Sequence, residues 1–143
     1  MTRRQLRENI FKALFRIEFA EQPEREEQVE LYLQELAEQE QEDGTISFAK
    51  EEDIEYVKNK VLAVIANLEA IDAAISEHTE GWKLGRIGKA ELAILRLAVY
   101  EIRMDEDVPQ GVAINEAVEL TKKYCDEDAK GFVNAVLGKL TKA

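Results

Sequence analysis

From Lys89 to Met104 the chain reads Ala90, Leu92, Ala93, Ile94, Leu95, Leu97, Ala98, Val99, Tyr100 and Ile102, apolar on nearly every side of a helical period. A helix of that kind has no face to give to water, so other elements must enclose it. It belongs in the middle of a bundle. The rest of the chain therefore has to supply the helices that surround it.

Those helices are legible. Asp107-Val108-Pro109 starts the next one, since proline suits the first helical turn, and Val112, Ala113, Ala117 and Leu120 form its expected buried stripe. The last helix, near Asp126 to Leu140, buries Ala129, Phe132, Val133, Val136, Leu137 and Leu140, a full match to the amphipathic template. At the other end Thr2 and Gln5 have the form of a capping box, with Leu6, Ile10, Ala13, Leu14 and Ile17 behind them at helical spacing. Gln22-Pro23 ends that helix and opens another with a narrow stripe of Val29, Leu33, Leu36 and Ala37. Asp43-Gly44-Thr45 reads as a turn. From about Glu51, Ile54, Val57, Val61, Leu62, Ile65 and Leu68 run on towards Ile75, long enough for two consecutive helices or one bent helix.

Gly81 to Gly88 interrupts the pattern and is expected to join two lobes, an N-terminal bundle of about residues 1–80 and a C-terminal bundle of about 81–143. At 143 residues the chain is one domain, or two small lobes sharing a core. Two prolines, seven glycines and almost no β-branched alternation favour an all-α protein. No apolar run approaches bilayer length, and no apolar core follows the Arg-rich start, so neither a membrane anchor nor a secretory signal is expected. The single cysteine, Cys125, excludes an internal disulfide and fits a reducing compartment, which points to the cytoplasm.

A net charge of −11 argues at first sight against a nucleic-acid partner, because phosphate contacts need cations. Its distribution reverses that argument. Residues 1–19 carry +3, residues 20–56 carry −12 and residues 57–143 carry −2. The excess acid sits in one segment, and the first helix is locally basic. Arg3, Arg4 and Arg7 lie in its first two turns, where the helix dipole prefers anions. A phosphate partner would explain that cost; a solvated cluster would also tolerate it.

Enzyme chemistry has little to build on: there is no P-loop, dinucleotide fingerprint, HExxH or GxSxG, so no catalytic residue, cofactor or metal is expected. His78 has no nucleophile beside it and reads as an exposed or satisfied side chain. Cys125 reads as a small packing residue and Trp82 as a packing anchor. Asp126-Glu127-Asp128 lacks the spaced ligands and glycine turn of a hard-metal loop; helix capping explains it more simply. Phe11, Phe15 and Phe19 are spaced by four. They form either one core stripe or, because Leu6, Ile10, Leu14 and Ile17 already supply a stripe, edge rings beside arginines suited to stacking on single-stranded RNA.

Four segments resemble the NusB family of bacterial transcription antitermination factors. They are the basic opening from Arg3 through Asn9-Ile10-Phe11-Lys12-Ala13-Leu14-Phe15, the stretch Lys89 to Glu101, Val108-Pro109 through Val112-Ala113-Ile114-Asn115-Glu116-Ala117-Val118-Glu119-Leu120, and Glu127-Asp128 with Phe132-Val133-Asn134-Ala135-Val136-Leu137. The resemblance is weakest across residues 20–80, where helical pattern continues without a diagnostic motif. It implies an all-α fold of two packed three-helix bundles and no enzyme activity. It further implies binding of boxA RNA from ribosomal RNA operons together with NusE, a ribosomal small-subunit protein, in a complex that joins other Nus factors and RNA polymerase and suppresses premature termination. By position, Arg3, Arg4, Arg7 and Lys130 would contact RNA and Phe15 and Phe132 would face bases, while Glu91 and Asp128 match positions near the shared RNA and NusE surface. The family often has tyrosine where this chain has Phe15, so a hydroxyl contact would be missing while stacking survives. The same module opens certain ribosomal RNA methyltransferases, but 143 residues leave no room for a cofactor-binding α/β domain. A protein–protein adaptor whose basic helix is incidental stays open as the alternative.

Overall fold

In a computed structural model that describes residues 1–40, 44, 46–79 and 84–141, seven α-helices follow one another: α1 (Arg3–Ile17), α2 (Arg25–Ala37), α3 (Glu51–Ala66), α4 (Leu68–Glu77), α5 (Lys89–Arg103), α6 (Gln110–Tyr124) and α7 (Glu127–Thr141). Trp82, Asp43 and Thr45 lie outside the described residues.

The chain divides into two compact units, Met1–Ala63 and Val64–Ala143. In the first, the expected capping box closes the start of α1: the Gln5 amide donates to Thr2 Oγ1 at 3.1 Å, and Gln5 Oε1 accepts from the Thr2 amide at 2.8 Å. Leu6, Ile10, Ala13, Leu14 and Ile17 are all buried, as their spacing requires. Across to α2, Tyr32 donates to Asn9 Oδ1 at 2.6 Å, and Arg16 bridges to Gln28 at 3.1 Å and Glu35 at 2.7 Å. The amino terminus reaches Asp53, in the first turn of α3, at 3.0 Å. A single 3₁₀ turn, Gln22–Glu24, carries Pro23 into α2.

One element escaped the sequence. Strands β1 (Glu38–Glu40) and β2 (Ile46–Phe48) pair antiparallel, with Glu38 opposite Phe48 and Glu40 opposite Ile46. Three-residue strands are too short to show a period of two, so pattern reading cannot find them. Gly44 between them has φ +85°, a conformation other residues rarely adopt. Elsewhere the all-helical expectation holds. The 51–75 stretch resolves into two consecutive helices, because Asn67 leaves helical geometry at φ −112° and ψ 15°.

The second unit is built around α5, which packs against α4, α6 and α7. Leu92, Ala93, Ile94, Leu95, Leu97, Ala98 and Val99 are buried, as an all-round apolar helix demands. Two polar groups sit on the same helix: Glu101 is buried, and Arg96 grips Asp72 of α4 through Nε at 2.9 Å and a second nitrogen at 3.0 Å. These contacts draw α4 into the second unit. The two compact units divide after Ala63, and of the Gly81 to Gly88 joint expected from the sequence residues 81–83 lie outside the described residues. Val112 also differs from its expected place in the stripe of α6, being 44% exposed. It stands roughly 100° around the helix from Ala113, and the buried row is Ala113, Ala117, Leu120 and Thr121. In α7, Val133, Val136, Leu137 and Leu140 are buried, while Ala129 and Phe132 are half-buried at the edge.

Candidate nucleic-acid interface

The sequence-derived site residues fall into both units. Arg3, Arg4, Arg7 and Phe15 lie on α1 of the first; Glu91 of α5 and Asp128, Lys130 and Phe132 of α7 lie in the second.

On α1 the three arginines are not equivalent. Arg3 and Arg4 are exposed, whereas Arg7 is only 8% exposed and, like Arg4, engages other groups of the protein. The helical period explains it. Arg7, Phe11, Phe15 and Phe19 form a row of every fourth residue, and each step advances roughly 40° around a helix of 3.6 residues per turn. The row therefore drifts from the core to the surface. Arg7 and Phe11 begin it in the protein, Phe15 is half-buried, and Phe19 ends it 66% exposed. The rings touch in sequence: Phe11 stacks on Phe15 with centroids 6.0 Å apart, and Phe15 meets Phe19 edge-on at 5.2 Å. Phe11 thus lies in the core, Phe15 at its edge and Phe19 outside it. No acid stands in the first turn of α1, so its amides and the Arg3 and Arg4 cations share one end. Lys12 and Arg16, further along, are occupied by Glu8 at 3.7 Å and by Glu35.

In the second unit Lys130 and Asp128 are exposed and Phe132 is half-buried, one turn from the buried Val136. Lys130 and Lys122 line both of two hollows along α6 and α7. One, of about 440 Å³, also takes in Cys125, Asp126 and Glu127. The other, of about 420 Å³, takes in Gly111, Ile114, Asn115, Val118, Gly131 and Asn134. Acids thus surround the lysines at the first hollow.

Glu91, in the first turn of α5, is half-buried, and its carboxylate lies back over Gly88, in the space a Cβ on that glycine would occupy. The carboxylate lies near the thiol of Cys125, the residue that closes α6. Burial, the nearby Glu91 carboxylate and the Asp126 charge push the Cys125 pKa up from 9.0 to about 12. The thiol keeps its proton at neutral pH, which makes it a poor nucleophile. Its proximity to Glu91 had no sequence signal, because 34 residues separate the two along the chain. His78 is satisfied, its Nδ1 standing 2.8 Å from the Ala74 carbonyl.

Residues 4–142 match the model of the NusB family. A relative from Agathobacter rectalis, named transcription antitermination protein NusB, is 45% identical over 97% of this chain and 98% of its own length. Another of the same name, from Lachnoclostridium phytofermentans, is 44% identical over 98% of each. Among solved structures, T. maritima NusB superposes with a TM-score of 0.82 at 32% identity, covering 99% of this chain and 92% of that one. A chain from the crystal structure of antitermination factors NusB and NusE in complex with double-stranded RNA does so at 0.78 and 28% identity, over 99% and 98%.

Proposed function

This chain belongs to the NusB family, and on that premise we propose that it is a transcription antitermination factor that binds boxA RNA of ribosomal RNA operons together with NusE, suppressing premature termination. The observation that carries the RNA reading is the exposed pair Arg3 and Arg4 at the head of a helix whose aromatic row climbs from core to solvent. Guanidinium groups suit phosphates and edge rings suit bases, which is how single-stranded RNA is held. Arg3 and Arg4 lead the phosphate contacts, with Lys130 adding one from α7. Phe15 and Phe132, each half-buried, offer a ring edge for stacking. Arg7 contributes chiefly by holding the start of α1 to the protein. Glu91 and Asp128 face NusE. No covalent chemistry belongs to this role, and the other Nus factors and RNA polymerase join through the complex. Among the described residues no helix is long and apolar enough to cross a membrane, which accords with work on nascent transcripts in the cytoplasm.

Titrating labelled boxA RNA with and without NusE, over a series of salt concentrations, tests this. Affinity should rise with NusE present, and log affinity should fall linearly with log salt as counterions are released. A flat salt response would favour the protein–protein adaptor instead.

A further inference from the structure

Helices α6 and α7 pack side by side, and the hollow of about 420 Å³ along them collects polar groups that the protein leaves unanswered. Among the described residues, the side chains of Asn115, Asn134 and Lys130 make no hydrogen bond or ion pair. Lys122 pairs with Glu119 at 3.2 Å, an exposed contact one turn along α6 that a better-placed carboxylate can displace. Ile114 and Val118 are half-buried and give the hollow an aliphatic floor. Gly111 and Gly131 leave its walls bare. Neither has a positive φ, and a Cβ on either would meet nothing within 4 Å, so neither backbone geometry nor packing within the protein demands glycine there. The hollow also stands apart from the ring read as facing RNA bases. Around α7, Asn134 lies roughly 40° from Lys130, whereas Phe132 lies roughly 160° away on the other flank.

We propose that this groove binds an extended, acidic peptide segment of a protein partner. The inference goes beyond the RNA reading and does not rest on it, Lys130 alone being common to both. A carboxamide donates and accepts at once, so Asn115 and Asn134 match the free N–H and C=O groups of an extended chain; a helix has already spent its own on itself. Of the described residues that line the hollow, the charged ones are Lys122 and Lys130, both cations on a protein of net charge −11, so the local field selects carboxylates. Acids return beyond Lys130, where Asp126 and Glu127 line the adjoining hollow. Successive side chains of an extended segment point to opposite sides, so apolar ones can cover Ile114 and Val118 while acidic ones between them turn to the lysines at the rim. Single-stranded RNA is held on aromatic faces and guanidinium planes, and the described lining offers neither. Gly111 to Lys122 spans roughly 16 Å of helix, the reach of about five extended residues.

The test titrates the isotope-labelled whole protein, followed by NMR, with a hexapeptide of alternating valine and glutamate blocked at both ends. The side-chain amide resonances of Asn115 and Asn134 should shift together at submillimolar peptide. A valine–lysine hexapeptide should leave them in place, and the glutamate peptide methylated on its backbone nitrogens should bind at least about 5-fold more weakly. Lys130→Gln should weaken binding about 2- to 10-fold through the lost charge-assisted contact. Gly131→Leu separates binding from folding: its side chain enters open space and leucine favours a helix over glycine, so circular dichroism should stay helical while affinity falls at least about 10-fold. Shifts of equal size from the lysine peptide, no shift at millimolar glutamate peptide, or parental binding in a folded Gly131→Leu would each overturn the proposal. A uridine hexanucleotide that moves the same two resonances at lower concentration than the peptide would also defeat it, by giving the groove to RNA.

Discussion

Arg3 and Arg7 stand about one turn apart on the same helix, yet they face different tasks. Arg7 begins a row that continues into Phe11 and is nearly enclosed, so Arg7→Gln should cost about 1–3 kcal/mol through the lost contacts of a buried side chain. Arg3→Gln and Arg4→Gln should stay within about 0.5 kcal/mol of the parent, since exposed cations at a helix start are poorly placed. Urea unfolding of the three variants checks this, and equal costs would contradict the buried placement of Arg7. The three phenylalanines should separate in the same way. Phe11→Ala should lose about 3–5 kcal/mol of stability. Phe15→Ala should lose about 1–3 kcal/mol of RNA binding with little change in salt slope, as stacking would. Cys125 gives a pH test. Its folded pKa of about 12 exceeds its ordinary 9.0, so the folded state keeps the proton longer than the unfolded chain. The stability this contributes is full below about pH 9 and is lost as pH rises towards 12. Unfolding of the parent and of Cys125→Ala at about pH 8 and about pH 10.5 should show the parent losing ground at the higher pH. At this scale the sequence marked the basic cluster and the aromatic row. Which member of each is buried needed the helix to be seated on its neighbours.

Among the elements, those with local signals were legible. The Thr2 and Gln5 box is written within four residues, and Thr2→Ala should cost about 1 kcal/mol. The burial of α5 follows from its own composition. Leu95 is 0% exposed, so Leu95→Ala should cost about 2–5 kcal/mol in a thermal or urea melt, and a cost under about 1 would mean the helix is not central. Asp72 was not legible as a partner of Arg96, because 24 residues separate them. Asp72→Ala strands a partly buried guanidinium and should cost about 1–3 kcal/mol, less than for a fully buried pair because solvent screens part of it. Strands β1 and β2 fell below the length at which any period can be read, so the sequence did not show them.

For the molecule as a whole, the uneven charge decides how it meets RNA. The net charge of −11 should slow approach to a polyanion, yet the +3 of residues 1–19 gives one end of α1 a cationic entry. The Arg3→Gln, Arg4→Gln double variant should bind boxA more weakly and reduce the slope of log affinity against log salt by up to about 0.7 per lost phosphate contact, with NusE binding unchanged. Parent affinity at every salt concentration would defeat the assignment. The sequence by itself determined what depends on neighbours within about two turns: helical periods, the capping box, the all-round apolar helix, the charge blocks and the four motifs of the family. Only the tertiary structure decided that α4 packs with α5, that Arg96 finds Asp72, and that Arg7 turns inward. Each of those rests on side chains brought together from distant parts of the chain or on the edge of a buried face. A periodic pattern gives the direction of such a face, but its width is set by whatever packs against it.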